Sequence, residues 1–331
     1  MENAEPDKYH FRDLHPDIYL GTTSDRYAGW IGQIYSKERY AGRINRRPKV
    51  VGRKAYIEEV LPVDSVEEYF QHFRVLEIDY TFYQLLIEKD GTPTKNYHLL
   101  KHYRRHIEDK DAIILKVPQI VFAQKLRRGT EYSPNEAYLN PEIFTRQFYA
   151  PALEILGKSL TGFIFEQEYQ RNQDRLPEKE MVRSLEAFFE AIPKDHRYHT
   201  EIRTESLLTP SFFRVLEKHG VGQVLSHWTW LSPLREQFAK TGNRILNAGR
   251  VLVVRLVTPI DLRYEVAYEK AHPFDKMVEG MLQPKMIEET AQLMHQGIEK
   301  GVKVMVLVNN RTGGNAPLIA QAIAEKFLSP R

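Results

Sequence analysis

The sequence predicts an α/β protein, a single (β/α)8 barrel of the TIM type with long insertions after its first and seventh strands. Eight short runs rich in Val, Ile and Leu are nearly free of polar residues, as in strands buried on both faces of a parallel sheet. Helix-like segments separate these runs, and such alternation favours parallel strands joined by right-handed crossovers. The chain has 331 residues, of which 42% are apolar. That length accommodates eight units with insertions in one domain.

The predicted strands are short and regularly spaced along the chain. No Gly-x-Gly-x-x-Gly motif follows the first of them, which argues against an open dinucleotide-binding sheet. Their ranges are 18–24, 75–83, 112–118, 160–167, 198–204, 221–227, 251–257 and 303–310.

The helices between the strands have recognisable beginnings and ends. Proline at the first helical position and glycine just past the last is the expected arrangement, and Ser65 with Glu68 has the spacing of a capping box. The other predicted helices begin at Asn140-Pro141, Thr209-Pro210, Ser232-Pro233 and Pro284, and end at Gly157, Gly220, Gly242 and Gly301 respectively.

The domain prediction is an N-terminal extension over residues 1–17 and a barrel over 18–331. The insertions, 25–63 and 258–284, both follow a strand, so we expect them on the face where barrels carry their sites, where they can cover a pocket.

Composition narrows the functional classes. The net charge is only +3 and cysteine is absent, which argues against a strong global field for nucleic acid and excludes disulfides and thiolate metal sites. The N-terminal residues do not form a secretory signal, and no apolar run approaches the roughly 20 residues that span a bilayer. A cytoplasmic protein without membrane association is expected, and its oligomeric state is left open.

Charged and amide side chains lie at the ends of several predicted strands, where the carboxyl ends of barrel strands form a shared site. Because burying an unpaired charge is costly, these residues predict either a ligand site or an internal ion-pair network. In the first interpretation Glu77 and Glu201 supply a base or acid and Lys116 is an electrostatic catalyst, while Arg203 and Arg255 clamp an anion. The remaining members of this group are Asp79, Asn309 and Asn310.

Taken in order, these residues and others resemble the YecE-like family, known as domain of unknown function 72, from Gly21 to about Phe327. The resemblance implies a TIM-type barrel and adds Thr22, Tyr27, Trp30 and Gln167 as substrate-binding candidates. The chain is identified as a divergent member. It has Ser24-Asp25, Val121-Phe122, Thr204 with Leu207, and Val257-Thr258 where the family usually has Gly-Trp, Thr-His, His with Trp, and His-Gly.

A glycine-rich turn after the last strand provides a second prediction. Arg311, Gly313, Gly314 and Asn315 precede a helix that begins near Pro317. Exposed backbone N–H groups and a helix dipole favour an anion at such a position. Glycine pairs also occur simply to make a tight turn.

Several alternatives remain open. Glu77, Glu166, Glu168 and Glu201 are carboxylates suited to glycoside cleavage. Three of them with His227 could also hold a divalent metal, although no HExxH spacing supports one and no cofactor is predicted. The segment 39–55 carries seven basic residues and no acid, which predicts a nucleic-acid contact that the low net charge disfavours. The favoured partner is a small anionic or polyhydroxyl ligand, and the alternative is a non-catalytic binding or nucleic-acid-associated protein.

Overall fold

A computed structural model describes residues 8–128 and 131–330. Eight parallel strands form a closed barrel in the order β1-β12-β11-β10-β9-β8-β5-β4, which confirms the predicted fold class and all eight strands. The barrel strands are β1 (Ile18–Thr22), β4 (Val75–Ile78), β5 (Ala112–Lys116), β8 (Leu160–Gln167), β9 (Tyr198–Ile202), β10 (Gly222–His227), β11 (Val251–Leu256) and β12 (Lys303–Val308).

Two antiparallel hairpins lie outside the barrel, β2 (Asn45–Val51) with β3 (Lys54–Val60) and β6 (Lys125–Arg128) with β7 (Glu131–Pro134). The α-helices are α1 (Lys37–Tyr40), α2 (Val66–His72), α3 (Lys95–Arg104), α4 (Gln119–Phe122), α5 (Pro141–Phe144), α6 (Ala150–Leu156), α7 (Glu178–Ala191), α8 (Pro210–His219), α9 (Leu234–Lys240), α10 (Tyr264–Ala271), α11 (Pro284–Glu299) and α12 (Ala316–Leu328). Within the described residues no helix is both long and apolar enough to cross a membrane.

Most of the helix signals act as predicted. The Asn140 side chain accepts hydrogen bonds from the N–H groups of Glu142 and Ile143, and Thr209 caps α8 through the N–H of Phe212. Gly220 ends α8 with φ 66°, in the left-handed region that glycine adopts without strain. The prediction of a capping box at Ser65 and Glu68 is wrong, because Ser65 has helical angles (φ −64°, ψ −18°) and its side chain makes no capping hydrogen bond. Glu68 instead accepts the N–H and the hydroxyl of Ser36.

Two of the strands end earlier in the structure than the sequence predicts. β4 stops at Ile78, Asp79 has helical angles (φ −90°, ψ −21°), and Tyr80–Tyr83 forms a 3-10 helix. The predicted strand 75–83 would place Glu77, Asp79 and Thr81 on one face, and this part of the prediction is wrong. β9 stops at Ile202, so Arg203 lies just beyond the strand. The alternation of side chains along β9 therefore does not fix the direction of the Arg203 side chain.

The described residues form two compact units. The first lies within Met1–Leu76, Ser226–Arg235 and Val254–Arg331, and the second within Glu77–Leu225 and Glu236–Val253.

The first unit contains the predicted N-terminal extension, whose residues 1–7 lie outside the described part of the chain. The rest of the extension packs against the unit. The rings of Phe11 and Phe73 lie 4.9 Å apart, and Gln321 accepts the N–H of Tyr9. Both predicted insertions have structure of their own, because the first contains the β2–β3 hairpin and the second contains α10.

The second unit has an aromatic core between strands and helices. Phe144 of α5 contacts Phe165 of β8 and Tyr198 of β9, with ring centroids 5.2 and 5.8 Å apart, and Phe188 of α7 lies 5.8 Å from Phe165. Phe163 joins the same layer at 5.8 Å from Tyr198. Because side chains alternate along a strand, this layer fixes which residues of β8 and β9 face away from the helices.

His199 is a buried histidine of the second unit and provides a pH prediction. Burial lowers the pKa of His199 to about 4, and its Nδ1 is hydrogen-bonded to the backbone oxygen of Arg197. The folded state therefore holds His199 neutral below pH 6.5, where the unfolded chain protonates it. We expect a stabilisation that is present above pH 6.5 and lost as pH falls towards 4, worth roughly 3 kcal/mol in total.

Urea unfolding of wild type and H199Q between pH 7 and 4 measures this effect. The variant is expected to be less stable at pH 7 but to lose less stability on acidification. H98Q changes an exposed histidine of the same unit and serves as the control. Its stability should depend on pH in the same way as that of the wild type. Parallel curves for H199Q and wild type would contradict the prediction.

Candidate functional site

An ion-pair network joins the carboxyl ends of three neighbouring strands in the second unit. Lys116 ends β5, Glu166 lies near the end of β8, and Arg203 follows β9. Glu166 Oε2 lies 2.6 Å from Lys116 Nζ and 2.7 Å from Arg203 Nη2. Arg203 Nε also donates to Glu201 Oε1 at 3.4 Å. One carboxylate oxygen therefore accepts from both cations.

Strand register and side-chain alternation explain why these groups meet. β5 pairs with β8 and β8 pairs with β9, and Glu166 is the direct register partner of Glu201. Phe163, Phe165 and Tyr198 point to the helix layer, so Glu166 and Glu201, of opposite parity, point to the other face of the sheet. Two neighbouring carboxylates would repel each other there, and the guanidinium of Arg203 bridges them.

Burial makes this network energetically important. The side chains of Glu201, Glu166 and Lys116 are 0%, 6% and 9% exposed, and that of Arg203 is 16% exposed. Arg203 is therefore the member that solvent reaches most readily. Removing one partner of an ion pair this deeply buried strongly destabilises the folded protein, because the other charge stays buried and unpaired.

The segment after β4 holds Lys116 in place. The Thr81 hydroxyl donates to the backbone oxygen of Lys116 at 2.7 Å, and the Lys116 ammonium lies 3.9 Å from the centre of the Phe82 ring. This is a cation–π contact, which stabilises a partly desolvated ammonium. Glu77 of the same unit is fully buried and Asp79 is half-buried.

The end of β8 carries further buried polar atoms. Gln167 donates from Nε2 to the hydroxyl of Tyr138 at 3.0 Å, and burial raises the pKa of Tyr138 to about 12. Burial also raises the pKa of Glu168, which accepts the N–H groups of Gln124 and Lys125. Among the described residues, Gln167 Oε1 finds no hydrogen-bond partner. The same holds for both amide atoms of Gln170. Buried polar atoms normally have partners, so these amide atoms retain unused hydrogen-bonding capacity.

The predicted residues of the first unit lie in well-packed surroundings. Asn310 Oδ1 accepts from Trp30 Nε1 at 3.0 Å and from the N–H of Ala316 at 2.7 Å, while Asn309 Nδ2 donates to Thr23 at 2.5 Å. Thr22 hydrogen-bonds to the hydroxyl of Tyr69. These contacts engage the side chains of Asn309, Asn310 and Thr22 within the first unit, and their substrate-binding role stays a prediction.

The aromatic candidates and Arg255 are also largely covered. Trp30 is fully buried, which leaves no ring face for a ligand, and Tyr27 packs 5.0 Å from it and 5.2 Å from Phe274. Arg255, at 3% exposure, belongs to the first unit, whereas the Lys116–Glu166–Arg203 network belongs to the second.

In the turn after β12, backbone N–H groups donate hydrogen bonds within the turn itself. The N–H groups of Gly313 and Gly314 both donate to the backbone oxygen of Asn310, and Asn315 caps α12 through the N–H of Leu318. Gly314 has φ 112°, and a Cβ there would lie 2.3 Å from the backbone oxygen of Lys276. Close packing therefore requires this glycine. The guanidinium of Arg311 lies over the ring of Tyr264 at 4.5 Å. The anion site at this turn remains a prediction.

The metal alternative gains no support from the described residues, which contain no group of three or more His, Asp or Glu side chains placed to hold a metal ion. His227 Nδ1 is hydrogen-bonded to the backbone oxygen of Thr258 at 2.9 Å. Burial lowers the pKa of His227 to about 4. These features fit a neutral histidine with a structural role.

The basic segment 39–55 forms part of a hairpin rather than a loop. Five of its seven basic side chains form ion pairs with acids of the same unit, namely Arg39, Arg43, Arg46, Lys49 and Lys54. Pairing of this kind reduces the positive potential that a nucleic-acid backbone would meet.

Comparison with known proteins identifies the family. The model of the family described as "Protein of unknown function DUF72" matches residues 46–330. The chain belongs to this family. The match confirms the resemblance to YecE-like proteins.

Solved structures of DUF72 family proteins show the same fold. One from Enterococcus faecalis has a TM-score of 0.53 at 14% identity, covering 95% of this chain and 98% of its own. One from Thermotoga maritima has a TM-score of 0.53 at 16% identity, covering 92% of this chain and 96% of its own. No curated protein matches the chain at a significant level.

In this DUF72 protein, the roles of two residues near the network, Glu166 and Tyr138, are difficult to recognise from the sequence. Glu166 is recognisable as a carboxylate after an apolar run, but its position between Lys116 and Arg203 depends on the register of three strands. Tyr138 lies in a segment without periodicity, and only the fold brings it to Gln167.

Proposed function

We propose that this TIM-barrel protein is an enzyme that binds a small anionic or polyhydroxyl substrate at the ends of β5, β8 and β9. The single observation that supports this most strongly is the shared contact of Lys116 and Arg203 with one oxygen of Glu166. Two cations that converge on one carboxylate oxygen have the geometry that a substrate carboxylate or phosphate requires. Arg203, the most exposed member, is the entry point for that group.

The neighbouring residues supply the other parts of the proposal. In it Arg203 and Lys116 hold the anionic group, and Glu201 or Glu77 exchanges a proton with the substrate. The neighbouring carboxylates Glu166 and Glu201 also suit hydroxyl groups, which donate to carboxylate oxygens. Gln170 offers further amide hydrogen bonds to a polyhydroxyl ligand. Gln167 has the parity of Phe163 and Phe165 and donates to Tyr138, so it supports the end of β8 on the helix side.

A non-catalytic protein is the second candidate function. It is favoured by the complete burial of Glu201 and by its ion pair with Arg203, because a purely structural network needs these features too. The two candidates differ in whether the network binds a ligand, and this is measurable.

Arg203 and Arg197 provide a matched pair of variants. Arg203 follows β9, whereas Arg197 precedes it and pairs with Asp195, and their side chains are 16% and 19% exposed. We expect a calorimetric panel of sugar phosphates, sugar acids and polyols to contain a ligand for wild type. R203Q should bind that ligand at least about 30-fold more weakly, because a charge-assisted bidentate contact is lost.

The R197Q variant loses an ion pair of similar burial at the other end of the strand and should keep wild-type affinity. If R203Q is destabilised while no member of the panel binds wild type, the structural candidate is correct and the enzyme proposal fails. Equal affinity of R203Q and wild type would also contradict the proposal.

A further inference from the structure

The two insertions of the first unit line an open cavity of about 820 Å³. Its walls come from the turn at Tyr27, the hairpin strand β3 at Ile57, and the segment after α10 from His272 to Asp275. This volume lies within the range of small-molecule sites in proteins. It is separate from the Lys116–Glu166–Arg203 network, whose residues belong to the second unit.

The walls are held together by contacts that cross between the insertions. His272 Nε2 lies 3.1 Å from the backbone oxygen of Ile57, and Tyr268 donates to Glu58 at 2.8 Å. The ring of Tyr56 lies 5.0 Å from that of Tyr268. The cavity is therefore preformed, which reduces the entropy that a ligand must lose on binding.

The turn at Tyr27 and the segment after α10 approach each other so closely that Gly29 has no room for a side chain. A Cβ at this position would lie 2.8 Å from the backbone oxygens of both Pro273 and Phe274. The glycine therefore permits the close approach that places the Tyr27 and Phe274 rings 5.2 Å apart, edge to face, at the cavity.

The lining combines aromatic and apolar groups with one carboxylate that forms no ion pair among the described residues. Glu58 pairs with Lys49 at 2.7 Å and Glu59 pairs with Arg46 at 2.9 Å, so the charges of these four groups balance. Asp275 remains as the exposed carboxylate of the lining. Acidic groups beside aromatic rings attract cations through charge and through the negative faces of the rings.

We propose that this cavity binds a small organic amine with an aromatic or aliphatic body. The apolar body lies against Tyr27, Ile57 and Phe274, and the ammonium group lies beside the exposed carboxylate of Asp275. This site is independent of the proposed function, because it uses other residues and the opposite ligand charge.

Isothermal titration of the full chain with phenethylamine tests the proposal, with 3-phenylpropionate as an acid of similar ring and chain length. We expect saturable binding of the amine and at least about tenfold weaker binding of the acid. I57W enlarges a side chain that lines the cavity and should weaken amine binding by occupying part of its volume. V50W introduces the same side chain at a 72% exposed position of the same hairpin that does not line the cavity, and should bind like wild type.

D275N provides a second variant at an exposed position where misfolding is not expected. It should weaken amine binding about threefold to tenfold, whereas E279Q, four residues later and outside the cavity, should not. Loss of amine binding in R203Q would place the amine at the other site and overturn the proposal. Equal binding of amine and acid, unchanged binding in I57W, or no saturable binding by wild type would also overturn it.

Discussion

Replacing Trp30 by alanine is expected to lower the free energy of unfolding by about 3–5 kcal/mol, the cost of removing a large buried aromatic side chain. Trp30 is fully buried, stacks on Tyr35 with ring centroids 6.2 Å apart, and donates to Asn310 at 3.0 Å. Its removal leaves a cavity and deprives a buried amide oxygen of one donor. Urea unfolding of W30A followed by circular dichroism measures the effect.

Trp230 provides a control for the same substitution within the same unit. It is 46% exposed, so W230A should cost less than about 1.5 kcal/mol. A similar loss of stability in both variants would show that the covered position of Trp30 is not what stabilises this part of the molecule. An unaffected W30A would contradict a stabilising role for Trp30 and would favour its predicted role in ligand binding.

Glu166→Ala is expected to destabilise the protein by about 3–5 kcal/mol, because Lys116 and Arg203 lose the carboxylate oxygen that both contact. The truncated side chain also leaves space between the two cations. Acetate or phosphate added to the buffer should enter that space and recover part of the loss. Thermal unfolding of E166A at increasing acetate concentration, with chloride keeping the ionic strength constant, measures this rescue.

The rescue distinguishes an anion-binding arrangement from a general effect of salt. E166A with R203Q lacks one of the two cations and should show a much smaller rescue. D195A removes the carboxylate that pairs with Arg197 at the other end of β9, and should be destabilised without acetate rescue beyond that of wild type. Equal stabilisation of all variants by acetate would refute an anion site at Lys116 and Arg203.

The barrel was predictable because strands buried on both faces leave continuous apolar runs in the sequence. Helix ends at Thr209 and Gly220 were predictable because their chemistry is local. The composition of segment 39–55 predicts only a basic contact, although the alternation in KAYIEEV and a glycine at position 52, which adopts φ 62° in the turn, indicate the β2–β3 hairpin.

Features that depend on distant partners were not predictable. The sequence YTFY has high strand propensity, yet it forms a 3-10 helix in which Thr81 bonds to the distant backbone oxygen of Lys116. Glu68 has the spacing of a capping residue but binds Ser36, far earlier in the chain. Glu166 becomes the centre of the network only because the registers of β5, β8 and β9 align it with Lys116 and Glu201.

A crystal structure of E166A grown in acetate tests most directly whether Lys116 and Arg203 form an anion site. We expect an acetate whose oxygens lie within about 3 Å of Lys116 Nζ and Arg203 Nη2, the usual distance of charge-assisted hydrogen bonds. A structure in which Lys116 and Arg203 have moved to other carboxylates, with no anion between them, would contradict it.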